Sequence, residues 1–391
     1  MRILFLTLDF PPIVGGVANY YYNFCKHLGV KNDIIILAPL ATNRADSIYG
    51  DSELGSRVTV LRQQMLYSKI FPKWLKAIFC TFSILRNKHI DLVIVGQVLP
   101  LGYISLLSKF IFGVPYFVCT HGLDILTPQQ NQFKFFWLKK ILSLAKHVIS
   151  NSDFVKKELI KIGVHTDKTT VIHPCLDVAL VQRATIDAGH EVDILTQKYQ
   201  LAGKKIILSV GRLVERKGFD VVINAMQHVW KTCPDVVYII AGSGSHKLIL
   251  QQLAQGVMSK HSDGRGRIIF TDYVSFQELY LYYAMCDIFI MVPKDIIYDR
   301  EGFGLVYLEA NYFEKPVIGS RSGGVPEAIE HEVSGLLVEP DNVQDTISAL
   351  LRLLNDKDLR QKLGQQGKAR ALAQFQWSVE MRKLDISFLA F

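Results

Sequence analysis

Glu301-Gly302-Phe303-Gly304-Leu305-Val306-Tyr307-Leu308-Glu309 places two carboxylates eight positions apart, joined by a glycine-flanked turn that runs into an apolar helix. Gly302 and Gly304 let the backbone bend and approach a ligand with no side chain in the way. The free N–H groups opening a helix over 305–313 favour an anionic group. At a rise of about 1.5 Å per residue, Glu309 lies on the order of 10 Å along from Glu301. That is too far to share one proton, and it suits holding opposite ends of an elongated polar ligand.

Working outward, short apolar runs alternate with helical patterns on both sides of this stretch. Runs at 3–8, 33–38, 58–61, 92–95, 116–119, 147–150 and 170–172 read as strands, and a second series follows at 205–210, 236–241, 267–270, 288–291, 316–319 and 335–338. Buried parallel strands read as continuous apolar runs, so the pattern predicts two doubly wound α/β, Rossmann-like domains. We place the first over 1–177 and the second over 178–371, with a terminal helix over 372–391 packing back on the first. Ligands of open α/β sheets bind beyond the carboxyl ends of the strands, so the active site is expected in a cleft between the domains. Gly242-Ser243-Gly244 reads as a tight turn, because Lys247 occupies the third glycine position of a nicotinamide fingerprint.

The chain has 391 residues, of which 49% are hydrophobic, enough for two cores. Cys25, Cys80, Cys119, Cys175, Cys233 and Cys286 never reach metal-ligand spacing, which predicts free thiols in a reducing compartment and no structural zinc. The apolar run at 3–8 is followed at once by Asp9-Phe10-Pro11-Pro12, so it reads as a buried strand and not as a leader. Residues 1–177 carry 20 Lys+Arg against 11 Asp+Glu, whereas the remainder carries 24 against 25. The excess positive charge therefore sits on the first half, where it should meet something anionic.

Several further stretches fall in a recognisable order: Asp9-Phe10-Pro11-Pro12 with Gly15-Gly16-Val17; Thr120-His121-Gly122; Ser209-Val210-Gly211-Arg212 with Lys217-Gly218; and Ser322-Gly323-Gly324-Val325-Pro326-Glu327. Together with the spacing of Glu301 and Glu309, they make the chain resemble glycosyltransferase family 4 over nearly its whole length. Its motifs are nearest in form to those of phosphatidylinositol mannosyltransferase-like members. The resemblance implies the GT-B architecture, two Rossmann-like domains facing each other across a cleft. It implies a retaining glycosyltransferase that moves a hexose, mannose as first guess, from a nucleoside diphosphate sugar to a hydroxyl of a lipid-linked or membrane-proximal glycan. GDP-mannose is the first candidate donor and a UDP-sugar the next, with no cofactor, no metal and no nucleic acid. A non-catalytic nucleotide-sugar-binding scaffold and a sugar-nucleotide epimerase are the alternatives, separable by whether nucleotide release needs an acceptor.

By the same resemblance, Arg212 and Lys217 bind the diphosphate in place of a divalent metal, with Arg216 as the local alternative for the second cation. Gly15 and Gly16 bring backbone amides to the leaving phosphate. Glu301 binds donor sugar hydroxyls, the amides of Phe303, Gly304 and Leu305 contact sugar and phosphate, and Glu309 accepts from the ribose diol. An alanine at Glu301 should then lower turnover while the fold melts normally. His121 stands near the anomeric centre with Asp124 assisting, and Glu327 fits either a site role or helix capping. No catalytic nucleophile emerges, which is compatible with same-face attack. Two positions depart from the family pattern: Asp272, where glycine is common in a loop facing the base, and Cys175, where glycine is frequent.

Phe71, Trp74, Leu75, Ile78, Phe79 and Phe82 recur at helical spacing, with Lys73 and Lys76 opposite and Lys69, Arg86 and Lys88 flanking. Between Leu54 and Ile90 there are seven basic residues and no acidic one. An ordinary core helix would show the same apolar face. The acid-free run favours a helix lying on an anionic membrane surface. The expected location is cytoplasmic, peripheral on the inner face of the cell membrane, with 133–140 as a second contact.

Overall fold

Ile3, Leu4, Phe5 and Leu6 have no solvent exposure, and they form an interior strand of the first sheet because an unbroken apolar run is buried on both faces. The computed structural model describes residues 1–13, 15–40, 49–67, 71–185, 188–260 and 266–384. Lys69 of the basic segment lies outside them. The chain divides into two compact units, Met1–Cys175 together with the segment beginning at Trp377, and Leu176–Gln376.

The first unit holds seven parallel strands: β1 (Arg2–Leu6), β2 (Asp33–Pro39), β3 (Val58–Gln63), β4 (Leu92–Val95), β5 (Tyr116–Thr120), β6 (His147–Ser150) and β7 (Thr169–Val171). Their order is β3-β2-β1-β4-β5-β6-β7. β1 pairs in register with β2 at Ile3↔Ile34 and with β4 at Ile3↔Leu92. The second unit holds β8 (Lys205–Val210), β9 (Val236–Ala241), β10 (Arg267–Asp272), β11 (Ile288–Ile290), β12 (Val317–Ser320) and β13 (Gly335–Val338), ordered β10-β9-β8-β11-β12-β13. Both are doubly wound Rossmann-like sheets, and the winding reverses between β1 and β4 and between β8 and β11. A crevice opens at the carboxyl ends of the strands at such a switch point. Some of the helices that cover the sheets are capped by the residue that precedes them, as Ser152 accepts from the Val155 amide and Ser275 forms a capping box with Glu278.

The segment expected as one helix over 372–391 is divided. A helix over Lys357–Gln374 ends in the second unit, where Phe375 packs on Phe303 with ring centroids 5.5 Å apart. A short helix, Trp377–Glu380, follows in the first unit. There Trp377 meets Tyr20 at 5.2 Å and Glu380 accepts from the His173 amide at 2.9 Å. Two aromatic residues with one position between them, Phe375 and Trp377, serve two cores, and the helix breaks between them.

Candidate functional site

In the second unit the loops leaving the strands pack backbone against backbone. Gly218 follows β8 with φ 69°, and a Cβ there would sit 2.0 Å from the Val292 carbonyl oxygen beyond β11. Gly323 (φ 58°) and Gly324 press on the carbonyl oxygens of Glu301 and Gly302 in the same way, and the Gly324 amide donates to Glu301 O at 2.9 Å. No other residue type fits those positions. The Lys294 amide closes the seam by donating to Arg216 O at 2.8 Å. The β8 loop and the segment around Glu301 are thus held together at the switch point, although 84 positions separate Lys217 from Glu301.

Lys217 Nζ lies 2.7 Å from Glu301 Oε2, and the Arg216 guanidinium bonds the same oxygen. Arg216 also pairs through Nε with Asp299 at 2.8 Å. Burial alone would raise the Glu301 carboxyl, but Lys217 and Arg216 outweigh it and bring it down to about 2. Burial lowers Lys217, opposed by Glu301 and reinforced by Arg216 and Arg212. Both cations sit on one oxygen. Glu301 Oε1 takes no hydrogen bond from the described residues, which leaves an acceptor for a ligand hydroxyl.

The sequence reading paired Arg212 with Lys217. The structure puts Arg216, the stated alternative for the second cation, beside Lys217 on Glu301, and leaves Arg212 exposed without an ion pair among the described residues. The helix Leu305–Tyr312 begins after Gly304 (φ 99°). The amides of Gly304 and Leu305 donate to no described group, and such open donors at a helix start attract an anion. The Phe303 ring itself is buried on Phe375. Glu309, on the next turns, is buried and accepts from Tyr283 Oη at 2.8 Å. Burial raises its carboxyl to about 7, against the pull of that hydrogen bond. Its Oε1 is open.

In the first unit His121 follows β5. Its Nε2 lies 2.8 Å from Tyr21 Oη, and the Tyr20 and Tyr21 rings stand edge-on to it at 4.9 and 5.0 Å. Burial pushes the imidazole down to about 3. Asp124 Oδ1 accepts from the His121 amide at 2.9 Å, and Asp124 Oδ2 is buried without a hydrogen bond. Burial raises the Asp124 carboxyl to about 6 although backbone amides oppose it. Gly15 and Gly16 open the helix Gly16–Leu28, are exposed, and would meet nothing within 4 Å if given a Cβ. Packing within the unit does not demand glycine there.

Asp272, the departure from the family pattern, has φ 63°. This is the left-handed conformation that glycine adopts freely and aspartate tolerates, and its carboxylate pairs with Lys247.

Three helices of the first unit, Leu75–Asn87, Leu101–Phe112 and Gln132–Leu144, contain no acidic residue. They are joined by Trp74 on Tyr103 (5.0 Å), Tyr103 on Trp137 (5.6 Å) and Phe82 on Phe112 (5.1 Å). Phe71 is 90% exposed, Phe79 67%, Phe110 68% and Phe133 68%. The stripe read from the sequence therefore splits. Trp74 and Ile78 pack on the core, while Phe71 and Phe79 face outward. Lys76 is held by Gln64 at 2.8 Å. No helix among the described residues is long and apolar enough to cross a membrane.

Residues 14–180 match the model of Glycosyltransferase Family 4 and residues 192–370 that of Glycosyl transferases group 1. A GDP-mannose-dependent monoacylated alpha-(1-6)-phosphatidylinositol monomannoside mannosyltransferase of Corynebacterium glutamicum is 28% identical over 98% of this chain and 96% of its own. The GDP-mannose-dependent alpha-(1-6)-phosphatidylinositol monomannoside mannosyltransferase of Mycobacterium tuberculosis is 25% identical over 98% and 97%. Among solved structures, Anabaena HepE in complex with UDP-glucose superposes with a TM-score of 0.78 at 20% identity, covering 100% of both chains. With two Rossmann-like sheets, the ordered motifs and both family models, the chain belongs to glycosyltransferase family 4, of GT-B fold.

Proposed function

We propose that this enzyme transfers mannose from GDP-mannose, with retention, to a hydroxyl of a membrane-bound glycolipid of the phosphatidylinositol mannoside type. The observation that carries the reading is the arrangement at Glu301, one oxygen anchored by Lys217 and Arg216 and the other open, beside the free amides of Gly304 and Leu305. The dependence of its relatives on GDP-mannose chooses the donor.

In this reading Glu301 Oε1 accepts from sugar hydroxyls and Glu309 Oε1 from the ribose diol, while Arg212, Lys217, the Gly304 and Leu305 amides and the Gly15–Gly16 turn oppose the diphosphate charge. As the bond from anomeric carbon to phosphate oxygen breaks, negative charge grows on that oxygen, and these donors stabilise it. The acceptor oxygen forms its bond from the same face, and its proton passes to the departing phosphate. His121 orients the reacting hydroxyls. The acid-free helices with outward Phe71, Phe79, Phe110 and Phe133 rest on an anionic leaflet on the cytoplasmic side, which brings a lipid-linked acceptor to the enzyme.

Purified enzyme incubated with GDP-mannose, UDP-glucose or UDP-N-acetylglucosamine, with and without acceptor lipid, tests the reading. Nucleoside diphosphate release should need both GDP-mannose and acceptor, and the product linkage should be α. Release without acceptor, or with UDP-sugars alone, rejects it.

A further inference from the structure

The hydrogen bonds around Tyr21 determine which nitrogen of His121 carries the proton. Tyr21 is fully buried in the helix Gly16–Leu28, and its hydroxyl touches two partners, the carbonyl oxygen of Gly96 beyond β4 and His121 Nε2. A carbonyl oxygen only accepts, so the single phenol proton goes to Gly96 O. The contact of 2.8 Å with His121 is then an N–H of Nε2 donating to the phenol oxygen. Gly96 makes this possible by its lack of a side chain, since a Cβ there would stand 2.8 Å from the Tyr21 ring. The ring is enclosed by Tyr20 and Tyr21 and held neutral by burial. A neutral imidazole with its proton on Nε2 carries a lone pair on Nδ1, and no described group donates to that nitrogen.

We infer that Tyr21 is a positioning residue that locks His121 as the Nε2–H tautomer, so that Nδ1 takes a hydrogen bond from a hydroxyl of the substrate and repels phosphate oxygens. The inference rests on the proposed placement of His121 at the reacting sugar, and it narrows what His121 recognises. A lone pair binds O–H or N–H groups; it cannot steady a diphosphate or a lipid phosphate. The His121 contact is therefore with a sugar hydroxyl, and the diphosphate is left to the cations and amides of the second unit.

The test uses full-length protein with ¹⁵N-labelled histidine. At neutral pH the His121 resonances, assigned by their loss in His121→Asn, should show a protonated Nε2 and an unprotonated Nδ1 before any substrate is added. In Tyr21→Phe the ring should lose this preference and average between tautomers. Turnover should then fall about 10- to 100-fold, the range typical of losing a ring-orienting partner, with KM for the donor unchanged. A protonated Nδ1 or an imidazolium in the wild type overturns the inference without reference to activity. The expected tautomer with full turnover in Tyr21→Phe overturns the hydroxyl-acceptor role. Loss of all donor turnover in the wild type would instead reject the proposed function, since the tautomer is read independently.

Discussion

Lys217 Nζ stands 2.7 Å from Glu301 Oε2, and Arg216 bonds the same oxygen, so a single carboxylate pairs with two largely buried cations. Removing one partner of a buried ion group leaves the others uncompensated, which costs about 3–5 kcal/mol. Glu301→Gln should therefore melt at a clearly lower temperature as well as lose turnover, in contrast to the normal melting expected from sequence. Calorimetry on Glu301→Gln and on Glu301→Gln with Lys217→Met separates the effects. The double variant should regain part of the stability and none of the activity. Unchanged melting of the single variant would mean that the ion group does not form in solution.

The same pair sets an acid limit. Glu301 is held at about 2 against an ordinary 4.5, so its contribution to stability is complete above 4.5 and is lost as pH falls towards 2. Acid unfolding of the second unit should take up one proton fewer in Glu301→Gln.

Glu309 behaves in the opposite sense. Its folded value of about 7 lies above the ordinary 4.5, so its contribution to stability is greatest below 4.5 and declines as pH rises to 7. A ribose diol needs the ionised form as acceptor. Donor affinity should weaken by up to about tenfold for each pH unit below 7, and this slope should vanish in Glu309→Gln. A calorimetric titration of GDP at several pH values reads it, and an equal slope in both proteins would remove Glu309 from the ribose.

Gly16→Ala should fold normally, since a Cβ meets nothing within 4 Å and alanine in a helix is favoured over glycine by roughly 0.5–1 kcal/mol. Turnover should nonetheless fall at least tenfold if the amides approach the leaving phosphate. Wild-type turnover would leave the glycines without a part in the reaction.

If Lys217, Arg212 and the Gly304 and Leu305 amides supply the positive charge at the diphosphate as proposed, activity should survive chelation. Loss of activity in EDTA, restored by magnesium or manganese, contradicts this.

Liposome co-sedimentation should require anionic lipid, weaken with salt, and drop in Phe79→Ser and in Lys73→Glu combined with Lys134→Glu. Lys76→Glu should matter less, because Gln64 already holds that side chain. A wild type that stays in the supernatant with every lipid makes a soluble acceptor the better reading.

The strands were legible because a strand buried on both faces leaves an unbroken apolar run, and each expected run is a strand within about two residues at either end. β1 stops at Leu6 and not Leu8 because Thr7 turns its hydroxyl to Asp9, an interaction with no periodicity to betray it. The bond of Arg216 to Glu301 was illegible for a related reason. Arg212 and Arg216 both follow β8, and no local pattern marks Arg216 as the one buried beside Glu301, 85 positions away. The split of the 71–82 stripe depends on which neighbouring helices cover it, and helical spacing is the same for covered and exposed faces. The Tyr21 bond to His121 joins residues 100 positions apart, which no local pattern records.

Trp377, edge-on to Tyr20 beside His121, and Glu380, bonded to His173, belong to a unit whose other segment ends at Cys175. On the ribosome these last pieces emerge only after all of Leu176–Gln376. Domains ordinarily fold in the order they are synthesised. Here Trp377 and Glu380 follow all of Leu176–Gln376 in chain order, so the core around His121 cannot close until the whole second unit has been synthesised.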